Sequence, residues 1–298
     1  MNRSWKGIFI ASILCFVFGI ALIIVSLMSG GSMTRIRENV SVRSFSESFA
    51  DEKITALELD IDVGRLSVIA SDEFRVEAEH IAADFFVCEV RGGTLVVEDN
   101  WSNSWSLNLS RGLSFQQYEP KIRVYIPDGV KLKFADVSLS AGECSIDGLS
   151  TEKLLIEVSA GALQAVDIRA DVFESEVSAG RCRIDSLITK TARASLSAGE
   201  LQIHGLQADV FTLNQSLGSA FIGGDIFERG SFDCGLGKIT VALDGRAESE
   251  YTVSLDVGLG DVSINGEHFS GSQSLRRGSG DTALDLSCGS GSIELSLG

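Results

Sequence analysis

One tripeptide constrains this chain more than any other feature. Ser-Ala-Gly stands at Ser140–Gly142, Ser159–Gly161, Ser178–Gly180 and Ser197–Gly199, each copy nineteen residues after the last. Two further steps of the same length reach Ser216-Leu217-Gly218 and Gly235-Leu236-Gly237. Looser copies lie at Asp62-Val63-Gly64, Gly258-Leu259-Gly260 and Gly289-Ser290-Gly291. After each Gly the chain alternates, as in Gly142-Glu143-Cys144-Ser145-Ile146 and Gly199-Glu200-Leu201-Gln202-Ile203. Alternation with period two is the pattern of a strand with one buried face.

The phase of that alternation changes at the Gly. Val137 and Leu139 are apolar at odd positions before Gly142, and Cys144 and Ile146 at even positions after it. A straight strand cannot bury both sets, because successive side chains point to opposite faces. Each repeat therefore needs a corner or bulge at the Gly, a residue for which unusual backbone angles cost little. A third apolar cluster, Leu149 with Leu154 or Ile168 with Phe173, completes each circuit.

Self-similarity at a short fixed period is the mark of a stacked repeat architecture. The expected fold is all-β, a right-handed parallel β-solenoid (β-helix) of about 19-residue coils, preceded by one transmembrane α-helix. A sandwich or propeller of hairpins is the rival, but Asn-Gly and Asp-Gly turns do not punctuate the core repeats, and a propeller blade needs roughly 40 residues. Coils stack about 4.8 Å apart. Cys144 and Cys182 then share one inward position two coils apart, with Leu163 between them. At about 9.6 Å they are beyond disulfide reach.

The expected boundaries are a short cytoplasmic tail (1–6), the transmembrane helix (7–28), a linker (29–53) and the solenoid domain (54–298), with an irregular loop at 98–119. Residues 7–28 carry no charge over 22 positions, and about 20 helical residues cross a bilayer. A cleaved signal peptide is the competing reading, but its apolar core is usually shorter and is followed by a small-x-small site. Arg3 and Lys6 precede the run and Arg35 and Arg37 follow it, so the positive-inside rule does not decide orientation. The long Gly- and Ser-rich remainder suits an N-in anchor with the solenoid domain extracytoplasmic.

The 298-residue chain carries a net charge of -16, which disfavours nucleic acid as a partner. His80, His204 and His268 are isolated, the six Cys form no C-x-x-C pair, and no nucleophile elbow, zinc-protease or phosphate-loop motif occurs. The row Ser140, Ser159, Ser178, Ser197 and Ser216 lacks the recurring base that a nucleophilic Ser requires. Gly223-Gly224-Asp225 is a single fragment of a calcium-repeat pattern. No catalytic, cofactor or metal site is expected. The loop at 98–119 gathers Trp101, Trp105, Phe115 and Tyr118. These are candidate partner contacts, since exposed aromatics mark interfaces, or else a cover for the open end of the coils.

The uncharged N-terminal run, Ile126-Pro-Asp-Gly-Val130 and the tandem S-A-G-x-φ-x-φ coils (φ apolar) together resemble a bacterial adhesin-like β-solenoid family, the domain of unknown function numbered 4097. The resemblance covers roughly residues 54–298, and its motifs are structural. It implies a non-enzymatic, membrane-anchored binding or scaffold module at the bacterial cell envelope, with envelope proteins or cell-wall polymers as partners. A regulator or sensor of envelope stress is the alternative. A carbohydrate-active enzyme is a further one and would need a carboxylate pair in a groove.

Overall fold

Strands that hide every second side chain must find a partner sheet or roll upon themselves, and here the chain does so by stacking. The structure is a computed structural model that describes residues 42–82, 85–100 and 119–298. All of these fall in one compact unit. The strands are β1 (Val42–Ser48), β2 (Ala56–Ser71), β3 (Arg75–Ala82), β4 (Phe86–Arg91), β5 (Thr94–Asp99), β6 (Lys121–Pro127), β7 (Leu132–Asp147) and β8 (Ser150–Val177), followed by the 54-residue β9 (Arg181–Cys234). Then come β10 (Lys238–Leu243), β11 (Tyr251–Val257), β12 (Asp261–Ile264), β13 (Glu267–Ser270), β14 (Gln273–Gly278), β15 (Thr282–Cys288) and β16 (Ser292–Leu297).

The central ladder is parallel and in step with the repeat. Val137 pairs with Ile156, Gly142 with Gly161 and Cys144 with Leu163 between β7 and β8. Leu163 then pairs with Cys182, and Phe173 with Ala192, between β8 and β9. Like residues consequently form columns. One interior column alternates bulk along the stack. Phe173 pairs with Ala192 and Gly230 with Leu284, and Phe211 falls at the nineteen-residue spacing between Ala192 and Gly230. Large beside small is how stacked layers fill space without voids. The rings of Phe211 and Phe232 lie 5.7 Å apart. These side chains belong to one buried apolar cluster that runs from Phe49 to Leu297.

The expected solenoid requires correction. The sixteen strands form one open, mixed sheet in the order β1-β3-β6-β2-β7-β8-β9-β10-β16-β12-β13, not a uniform series of coils. The nineteen-residue step governs Gly142 to Gly237 and fails on either side. Towards the N-terminal end β2 pairs in parallel with β7, so that Gly64 sits on Gly142 across a long excursion of chain. That excursion forms antiparallel pairs, β1 with β3, β3 with β6 and β4 with β5. Towards the C-terminal end β16 inserts between β10 and β12, and β15 between β9 and β11. Spatial order there departs from chain order. The edges are the antiparallel hairpin partners β13 and β14. The physical reason is length: the segments between these strands exceed one circuit, and the excess is taken up in hairpins.

The expected membrane helix has no counterpart among the described residues. Among the described residues no helix is long and apolar enough to cross a membrane; the helical element they contain is a 3-10 turn at Glu248–Glu250. The run 7–28 lies outside the described residues. Part of the expected linker, 29–53, is strand β1, paired along β3. Two turns follow their sequence chemistry. Gly92 and Gly93, with φ +59° and +85°, make the two-residue loop between Arg91 and Thr94, since a hairpin loop of type I′ needs positive φ twice. Gly129, at φ +75°, follows Pro127 and Asp128 in a turn closed by Val130 N–H donating to the Pro127 carbonyl at 3.3 Å.

Candidate functional site

Every circuit carries two corners of different chemistry. At the first, the Gly residues stack so closely that a side chain has no room. A Cβ on Gly161 would lie 2.5 Å from the Gly142 carbonyl oxygen, and one on Gly180 2.6 Å from that of Gly161. The column continues through Gly199, Gly218, Gly237 and Gly291 to Gly260. Gly142 adopts φ +135°, but Gly161, Gly180 and Gly199 do not occupy the left-handed region. At those three positions the close approach of neighbouring rungs, not backbone angle, demands Gly. The residue before each Gly points out of the core: Ala160, Ala179 and Ala198 are exposed. Leucine takes that place later, and Leu217, Leu236 and Leu259 are 48%, 50% and 88% exposed. Ser140, Ser159, Ser197 and Ser216 are likewise on the outside.

At the second corner lies a groove of about 410 Å³. Its floor is the column Thr151, Ala170 and Thr189. Short side chains let the chain turn there, and both Thr hydroxyls are consumed by the corner. Thr151 Oγ1 donates to the Lys153 carbonyl at 2.9 Å, and Thr189 Oγ1 to the Thr191 carbonyl at 3.0 Å. One wall is the outward column Ser150, Arg169, Ile188 and Gln207. The other is Asp171, Lys190 and Asp209, with Lys131 beside them. Phe227 also lines the groove and is 44% exposed.

The charges of the groove are not evenly matched. Lys131 Nζ lies 2.7 Å and Lys190 Nζ 3.2 Å from the two oxygens of Asp171. Those two ammonium groups hold the Asp171 carboxyl below the usual carboxylate range. Arg169 is exposed and makes no ion pair among the described residues. Elsewhere the outer surface is acidic. Partial loss of water, and then the neighbouring carboxylates Asp62, Glu98, Asp136 and Glu58, push the Asp60 carboxyl up.

The aromatic residues expected to contact partners, Trp101, Trp105, Phe115 and Tyr118, lie outside the described residues; of the loop expected at 98–119, Glu98 and Asp99 end β5. The three His are apart, in β3, β9 and β13. His204 packs its ring 4.8 Å from that of Phe221, and its Nε2 is buried without a hydrogen-bond partner among the described residues. Asp225 lies on β9, and the described residues include no group of three or more His, Cys, Asp or Glu placed to hold a metal ion. Cys144 and Cys182 are buried free thiols separated by Leu163. Cys234 and Cys288, distant in sequence, pair directly on neighbouring strands and are also free and buried. Sequence reasoning missed both this pair and the groove. The groove had a signal in the run of small residues Thr151, Ala170, Thr189 and Ala208 at the repeat spacing, ended by Phe227.

None of the curated proteins matches the chain. Among solved structures it is similar to a candidate adhesin from Bacteroides fragilis, at 12% identity and TM-score 0.44, over 87% of this chain and 99% of that one. It is also similar to a candidate adhesin from Parabacteroides distasonis, at 14% identity and TM-score 0.40, over 87% and 98%. A candidate cell adhesion protein from Clostridium sporogenes matches at 12% identity and TM-score 0.34, over 86% and 99%. Residues 54–297 match the Toastrack DUF4097 family along their whole length. The chain belongs to the Toastrack DUF4097 family.

Proposed function

We propose that this chain is a non-enzymatic binding or scaffold module of the bacterial cell envelope, held at the membrane with its β domain outside the cytoplasm. The observation that carries this reading is the continuous register from Gly64 through Gly142 to Gly260. It fixes outer side chains in rows on a rigid frame. Arg181 lies 3.1 Å from Glu200 and Arg183 3.4 Å from Gln202, each pair one rung apart. Rows of this kind favour contacts repeated along an extended partner over a single convergent centre. The uncharged run 7–28 supports a place at the membrane, and the net charge of -16 supports partners other than nucleic acid. Envelope proteins and cell-wall polymers are the partners this reading expects.

Two measurements test it together. Fractionation of cells producing the tagged full-length chain should place it with the envelope. Pull-down with that chain should retain wall polymer or defined envelope proteins. Recovery in the cytosolic fraction, with nothing retained from envelope extracts, overturns the reading.

A further inference from the structure

The geometry points to a binding site for an acidic saccharide, one bearing carboxylate or phosphate groups, in the groove between Lys131 and Phe227. This inference rests on the chain being a binding module and names what one face of it takes. The groove volume, about 410 Å³, is within the range of small-ligand sites, roughly 300–1,000 Å³. Its floor, Thr151, Ala170 and Thr189, spans about 10 Å at the ladder spacing. A short run of sugar rings suits such a length.

The lining supplies what that chemistry needs. In a chain with sixteen excess negative charges, Lys131, Arg169 and Lys190 converge on one corner against two carboxylates. Asp171 already engages both lysines, which leaves the Arg169 guanidinium uncommitted. Its planar fork of donors matches a carboxylate or phosphate two bonds at a time. Ser150 and Gln207 both donate and accept hydrogen bonds, and Asp209 accepts them. That mixture fits hydroxyl-rich rings. Phe227, 44% exposed in the groove lining, offers an apolar face on which the C–H side of a sugar ring can lie. The carboxylates argue against a densely phosphorylated polymer such as nucleic acid, which they would repel.

Isothermal titration of the full-length chain with oligogalacturonate, phosphorylated dextran and neutral dextran tests this. One or both anionic probes should bind, weaken as salt is raised, and exceed neutral dextran at least tenfold. The anionic probe that binds more tightly identifies the charged group. Arg169→Gln with Lys190→Gln should lower the affinity at least tenfold and Phe227→Ser severalfold, while Arg193→Gln, away from the groove, should leave it unchanged. If the double variant melts at a lower temperature, Arg169→Gln alone carries the test, since that exposed side chain has no ion partner to lose. Neutral dextran binding as tightly, affinity undiminished in the variants, or no binding of either anionic probe overturns the site. Retention of other envelope components by pull-down would then still stand, so the two readings fail separately.

Discussion

Gly199 lies against Gly180 across one step of the ladder, so that a Cβ built on Gly199 would come within 2.3 Å of the Gly180 carbonyl oxygen. Such contacts link the rungs of the central stack through their backbones. The Gly column is thus a spacing device, and the repeat in the sequence is its imprint. Gly199→Ala should force two rungs apart and cost about 2–3 kcal/mol, the scale of overpacking in a close-packed interior. Gly129→Ala is the comparison. There a Cβ meets nothing within 4 Å and only the φ of +75° resists it, a cost of about 1 kcal/mol. Denaturant unfolding of both variants checks the order; equal losses would contradict the spacing role.

The alternation of bulk in the interior makes a separate demand. Phe211 is fully buried, nineteen residues after Ala192 and nineteen before Gly230. Its ring packs 5.7 Å from that of Phe232 in the interior. Phe211→Ala should lower stability by about 3–5 kcal/mol, at the upper end for large-to-small changes, measured by chemical denaturation. A loss near 1 kcal/mol would show that the column collapses around the gap.

The thiols give an alkaline signature. Burial pushes Cys144 and Cys182 up to about 12 and is the main cause that takes Cys234 to about 11, from an ordinary value of 9.0. Because the thiolate is the reactive form, these three should resist alkylation at pH 8 until the chain is denatured, as mapped by mass spectrometry. Between pH 9 and 12 the unfolded chain releases protons that the fold retains. Stability supplied by the buried neutral thiols is therefore full below pH 9 and is lost as pH rises. Cys182→Ala should flatten that decline, and an unchanged slope would be the contrary result.

The acidic outer face behaves in the corresponding way at low pH. The carboxyl of Asp60 is raised from its ordinary value of 3.8 by partial desolvation and then by Asp62, Glu98, Asp136 and Glu58. A raised carboxyl contributes most where it is protonated, and that contribution is lost as pH rises through its folded value. At pH 7 its charge therefore works against the fold. Asp60→Asn should raise the melting temperature at pH 7, less so in high salt, and the gain should disappear below pH 3.8. A loss at pH 7 that persists at acid pH would contradict this account.

How far the sequence carried the structure follows from where the physics repeats. The columns through Gly142, Gly161, Gly180 and Gly199 were legible because every rung meets the same two constraints, a corner without a side chain and an alternating buried face. The ends were not. Gly64 meets Gly142, and Gly291 meets Gly237, across chain excursions whose lengths share no period, and only tertiary pairing aligns them. Strand β1 reads as polar linker because it is an antiparallel strand with most of its side chains in solvent. The groove escaped notice for a related reason. Positions such as Ser150, Arg169, Ile188 and Gln207 face outward at the repeat spacing, and an outward position has no fixed polarity to repeat.

The register itself is open to direct measurement. Gln164 is expected to lie between Ser145 and Arg183, one ladder step from each, on the outer face of β7, β8 and β9. Nuclear Overhauser spectra of the deuterated full-length chain should show cross-peaks from the Gln164 backbone to both of these residues. Correlations of Gln164 with a strand joined to its own by a tight turn, and none with residues nineteen positions away, would contradict the stacked architecture.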